Sequence, residues 1–118
     1  MKIAKIQELL GADLLCGEEY LDHDVWAACC SDMMSDVLAF VKDQGVLLTG
    51  LLNSQVIRTA NMMDMVCIVF VRSKQPTQEM IDLAREGGMV VMTTKLRLYE
   101  ACGKLYTNGL VGNGQKNE

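Results

Sequence analysis

Seven consecutive apolar residues, Met65–Val71 (MVCIVFV), constrain the fold of this chain more than any other stretch. The run is far too short to cross a bilayer, which takes about 20 residues of helix. It is also too continuous for a strand with one wet face, which would alternate apolar and polar residues. A strand buried on both faces reads this way, and such strands belong to parallel sheets covered by helices on each side. The Val66–Val71 strand is therefore expected at the centre of its sheet.

The flanking segments support that reading. Ile3, Ile6, Leu9 and Leu10 fall at helical spacing, with Gly11 as a stop. ADLLCG and VWAACC are short strand candidates on either side of a charged loop, GEEYLDHD. Ser31 is a plausible N-cap for a helix over 32–43, striped by Met33, Met34, Val37, Leu38 and Val41 and stopped by Gly45. VLLT is a strand, after which Asn53 or Ser54 can cap a helix running to about Met63. Pro76 and Thr77 open a further helix that stops at Gly87-Gly88, and MVVMT is the next strand. Thr94 can cap a last helix carrying Leu96, Tyr99, Cys102 and Leu105, closed by Asn108-Gly109. Strands alternating with helices predict a parallel sheet with right-handed crossovers. The expected fold class is thus α/β: one three-layer domain over residues 1–110 with a mostly parallel sheet, and a flexible tail over 111–118.

A length of 118 residues suits one domain, with 50% hydrophobic and 22% charged residues marking it as globular. The net charge of −4 argues against a general nucleic-acid binder. Lys2 and Lys5 precede no secretory core, because Gln7, Glu8 and Asp13 interrupt the apolar residues. These features, and a cysteine count of five with no CxxC, predict a cytoplasmic protein with reduced thiols and no membrane segment. Adjacent Cys29 and Cys30 are too close to bridge one another without strain. Cys67 and Cys102 are expected in the core, and no metal or cofactor is expected. An alternative role, redox or metal-responsive, rests on Cys29 and Cys30 at the junction of a strand and a helix N-terminus.

In an open parallel sheet, ligands bind beyond the carboxyl ends of the strands. Three such ends should lie side by side: Thr49-Gly50, Arg72-Ser73-Lys74 and Thr93-Thr94-Lys95. With Asn53 and Ser54 they place hydroxyls, amide donors and cations at one rim, which predicts an anionic small molecule such as a phosphate or nucleotide. The capping role of the Thr, Ser and Asn residues competes with that assignment. GLVGNGQKN resembles a phosphate loop but has Gln115 and Asn117 where Lys and Ser/Thr belong, so no kinase or ATPase is expected. His23, the one histidine, lies between Asp22 and Asp24 in a charged loop and reads as solvated; a dyad with Cys29 or Cys30 is the competing reading. Asp32 and Asp36 share a helix face, where helix-dipole compensation and solvation compete with a carboxylate pair. The members of the doublets Met33-Met34 and Met62-Met63 cannot both hide on one narrow stripe, so one of each can face a protein partner such as a second copy of the chain, with a broad core face as the competing reading.

The stretch LDHDVWAACCSDMMSDVLAF resembles the core motif of the DRTGG domain family, related to the N-terminal domain of HPr kinase/phosphorylase. Asp22 matches the motif aspartate, while Ser35, Asp36 and Val37 match the helix start that follows it. His23, Trp26 and Ala27-Ala28 stand in place of the arginine, the threonine and the glycine pair, and Ser31 and Asp32 lie between motif and helix. The resemblance continues in order and spacing to about residue 110. It implies a three-layer α/β fold and a non-enzymatic regulatory module, dimeric, for which nucleotide sensing has been proposed. Members occur fused to CBS-domain pyrophosphatases and phosphate acetyltransferases, or alone in anaerobic bacteria, some of them beside iron-only hydrogenase genes. The two Ala residues bring Cβ atoms where the family's glycines allow close backbone approach.

Overall fold

The apolar run forms the middle strand of a five-stranded sheet. A computed structural model describes residues 1–34 and 45–110. The described strands are β1 (Asp13–Cys16), β2 (Ala27–Cys30), β3 (Gly45–Thr49), β4 (Cys67–Phe70) and β5 (Val90–Thr93). The helices are α1 (Ile3–Leu10), α2 (Ser54–Met62), α3 (Gln78–Glu86) and α4 (Leu98–Thr107). The strand order is β1-β5-β4-β3-β2, with β2 to β5 mutually parallel and β1 antiparallel to β5.

Within β4, alternate residues serve two separate cores. Cys67 and Val69 face Val46, Leu48, Val90 and Met92, and α1 and α4 cover that side with Ile3, Ile6, Leu10, Ala101 and Leu105. Ile68 and Phe70 face Leu47 and Val91 on the other side, under Val56, Ile57 and Ala60 of α2 and Met80 and Ala84 of α3. All four β4 residues are fully buried. Burying an aliphatic or phenyl side chain contributes about 1.5–3 kcal/mol, so a strand that buries both faces gains twice along the same backbone. This is the three-layer α/β architecture expected from the sequence.

Local chemistry sets most of the boundaries. Gly11 ends α1 in the left-handed region (φ +57°), its N–H reaching the Gln7 and Glu8 carbonyls. The side chains of Asn53 and Thr77 cap α2 and α3, accepting from the Val56 and Met80 N–H groups at 3.2 Å each. α4 departs from expectation. It begins at Leu98, with the Glu100 carboxylate accepting from Arg97 N–H, and Thr94 lies three residues before its N-cap. The Thr94 hydroxyl instead donates to Leu10 O at 2.7 Å, tying β5 to the end of α1. The charged loop holds a short 3-10 turn, Glu18–Tyr20, and then pairs with the N-terminus through the Lys2–Asp24 bridge. Of the helix expected over 32–43, residues 35–43 lie outside the described residues, as does the tail over 111–118.

Candidate functional site: the carboxyl rim of the sheet

Parallel strands point their carboxyl ends the same way, so β2, β3, β4 and β5 deliver Cys30, Thr49, Phe70 and Thr93 to one rim. β1 runs the other way and starts there, Asp13 pairing with Thr93. The three strand ends singled out in the sequence are neighbours.

The exit of β4 is held in an unusual conformation. Arg72 and Ser73 both have left-handed backbone, φ +57° and +58°, which costs a non-glycine residue of order 1–3 kcal/mol. The neighbouring loop offsets that cost. Arg72 N–H donates to Leu96 O and Ser73 N–H to Thr94 O, each at 2.8 Å, and the Thr93 hydroxyl donates to Lys74 O at 2.6 Å. The loops after β4 and β5 are thereby laced into one surface. The same turn lays the Arg72 guanidinium over Gly50, where a Cβ would collide with it.

Asp32 closes the β3 side of the rim. Its Oδ1 accepts from Gly50 N–H at 2.7 Å and from the Thr49 hydroxyl at 2.9 Å. The Gly50 N–H bond is the main reason its carboxyl titrates below the usual range; the Thr49 hydroxyl and the charges of Arg72 and Lys74 add to it against the cost of burial. Asp32, expected to open a helix, binds the end of β3, an arrangement that differs from helix-dipole compensation. On the β5 side the rim opens into a hollow of about 410 Å³, reached by Ser73, Gln75, Lys95 and Asp13 above Thr93 and Thr94.

The other candidates divide between the rim and the rest of the fold. Thr49, Thr93 and Thr94 are buried, with hydroxyls engaged inside the protein. Asn53 caps α2 and Ser54 is its first residue. Arg72 and Lys95 are exposed and Lys74 half-buried. Asp22 and His23 lie before the amino end of β2, which runs away from them toward the rim. There Asp22 O accepts from Lys2 Nζ, His23 O accepts from Ile3 N–H, and the His23 ring packs 5.3 Å from Tyr20. Ala27 and Ala28 lie within β2, and the Ser31 hydroxyl accepts from Met33 N–H at 2.9 Å. Asp36 lies outside the described residues. Residues Leu10, Gly11 and Asp13 also line the hollow. Their place there is not legible in the sequence, because nothing local to ADLLCG says that it runs antiparallel.

The expectation of wholly reduced thiols is corrected. Cys30 and Cys102 form a disulfide, their Cα atoms 6.6 Å apart and 72 residues apart in sequence. Strand alternation is the cause: Ala28 and Cys30 of β2 both reach the α4 side, while Cys29 packs on the opposite face. Cys102 is therefore a cross-link on the flank of α4 rather than a core thiol, and the thiol argument for a reducing compartment loses its support. Cys16 and Cys67 are buried thiols whose titration is pushed up by desolvation. Among the described residues, no group of three or more His, Cys, Asp or Glu side chains is placed to hold a metal ion.

No family model matches the chain, and no curated protein does. Its fold is similar to a crystal structure of the CBS and DRTGG domains of the regulatory region of Clostridium perfringens pyrophosphatase, complexed with its activator diadenosine tetraphosphate. The TM-score is 0.70 at 16% identity, over 88% of this chain and 45% of that one. The chain thus spans less than half of that structure, and the likeness is one of fold. No described helix is long and apolar enough to cross a membrane.

Proposed function

We propose that this chain is a DRTGG-like, non-enzymatic regulatory module that senses a phosphate-bearing small molecule, a nucleotide above all, at the carboxyl rim of its sheet. The observation that carries the reading is the rim hollow itself. Lys95 stands at its mouth, Ser73 and Gln75 offer uncharged polar groups, and Arg72 and Lys74 lie on the adjoining loop. In a chain of net charge −4, a local group of three cations is an electrostatic feature of its own. Asp32 stays ionised and spends one oxygen on Gly50 and Thr49, so an incoming anion is favoured on the Lys95 side of the rim. Thr93 and Thr94 shape the floor while Ser73, Gln75 and Lys95 make the contacts. Asp13, an acceptor in the same hollow, suits the donors of a ribose or a base.

The fold likeness to a regulatory region crystallised with a dinucleotide activator supports the same ligand class. The proposal includes a homodimer, for which sedimentation should find about twice the 13.1 kDa chain mass, and a cytoplasmic location. The direct test is calorimetric titration with ATP, diadenosine tetraphosphate, orthophosphate and uncharged adenosine. The phosphate-bearing nucleotides should bind, adenosine should not, and Lys95→Ala should weaken binding about tenfold, the scale of one charge-assisted contact. Failure of every phosphate ligand to bind would remove the proposal.

A further inference from the structure

We propose that the Cys30–Cys102 disulfide is a reductant-sensitive tether that controls the order of the Asp32–Gly50 side of the rim. Its position carries the inference. Cys30 is the last residue of β2, and among the described residues β2 pairs with β3 alone, over four residues. A short edge strand holds half the ladder bonds of an inner one and belongs to the easily opened part of a structure. The disulfide fastens that end to α4, the helix that follows β5 and packs across the sheet face. The chain then makes one more ladder bond, Ser31 N–H to Leu48 O at 3.1 Å, before Asp32 grips Gly50 and Thr49. The covalent anchor is two residues from the carboxylate that organises the rim.

The bond is accessible. Cys30 is exposed, Cys102 is half-buried, and both line an open cleft of about 610 Å³ beside Tyr99 and Tyr106. Cys16 and Cys67, by contrast, are sealed in the two cores with their thiols stabilised in the neutral form. The reductant is a dithiol. Its thiolate attacks the more exposed Cys30 Sγ; the bond to Cys102 breaks, and Cys102 leaves as a thiolate that takes up a proton. The reductant's second thiol then attacks the mixed disulfide, releasing Cys30 as a thiol and leaving the reductant as a disulfide. Two electrons and two protons pass to the protein. Once free, the end of β2 frays and Asp32 lets go of the Gly50 amide.

This inference rests on the rim reading for what is controlled, but the tether is tested without a ligand. The 118-residue chain is equilibrated in oxidised and reduced dithiothreitol, alkylated to map thiols, and followed by residue-resolved amide exchange. Cys30 and Cys102 should resist alkylation when oxidised. On reduction, exchange at Gly50 and Leu51 should quicken by about tenfold or more beyond whatever rise Val69 and Val91 in the inner strands show through global unfolding. Cys102→Ser should reproduce the reduced pattern under both conditions, and should it not fold, the reduced wild-type chain provides the comparison. Three results would each overturn the proposal: alkylation of both cysteines under oxidising conditions, unchanged exchange at Gly50, or a uniform rise over all strands, which would mark a simple staple. ATP titration completes the test. No ATP binding in either state counts against the nucleotide reading, and the tether then stands or falls on amide exchange.

Discussion

Asp32 is exposed, yet two of its neighbours bind its negative form, and this has a consequence with a definite sign. Its folded carboxyl titrates below the ordinary value, chiefly through the Gly50 N–H, so its contribution is present above the unfolded carboxylate range. It is lost as pH falls through the depressed folded value. Solvent screening at so open a position limits the contribution to about 1 kcal/mol or less. Asp32→Asn should therefore lower stability near neutrality by that amount and flatten the acid limb of a denaturation profile, read by urea melts between pH 7 and pH 2. Gly17 offers a stronger residue-scale prediction. Its φ is +90°, and a Cβ would lie 2.7 Å from Val90 Cα. Gly17→Ala should cost about 1–3 kcal/mol or more, because both backbone strain and a backbone collision oppose it. The caps Gly11, Asn53 and Thr77 were legible in the sequence because a cap bonds within three or four residues of itself. Asp32 was not, because its partners lie 17 and 18 residues further along the chain.

At the scale of elements, the sheet shows which relations a sequence pattern can carry. MVCIVFV identifies a strand with two buried faces, and β4 is that strand, at the centre of the order. Phe70→Ala should cost about 3–5 kcal/mol, since one core face loses its largest side chain and keeps the cavity. The direction of β1 was not legible: DLLC reads the same in either orientation, and only the route of the chain from α1 past β5 makes it antiparallel. Cys30 and Cys102 were obscured for a related reason. The vicinal-pair argument excludes a Cys29–Cys30 bridge but is silent about a helix flank 72 residues away. Closing a loop of that length restricts the unfolded chain by roughly 4 kcal/mol in the chain-entropy picture. Full reduction should lower unfolding stability by up to that amount, measured as a shift in urea midpoint with and without dithiothreitol.

At the scale of the whole molecule, the two cores are joined through the backbones of β3, β4 and β5, which contribute alternate residues to each. Neither helical layer keeps its apolar surface covered if the sheet opens, so both should be lost in one cooperative step. Far-UV circular dichroism and fluorescence of Trp26, the single tryptophan, should give coincident transitions under oxidising conditions; separated midpoints would show that the layers unfold independently. By itself, the sequence determined the existence and order of the described elements, the boundaries set by Gly11, Asn53 and Thr77 and the burial of the central strand, because periodicity and capping act over a few residues; the Thr94 cap it suggested for α4 gave way to Arg97. Tertiary structure alone decided that Asp32 and Asp13 join the strand ends at the rim, which way β1 runs and which cysteines join, because those relations depend on where distant parts of the chain cross in space.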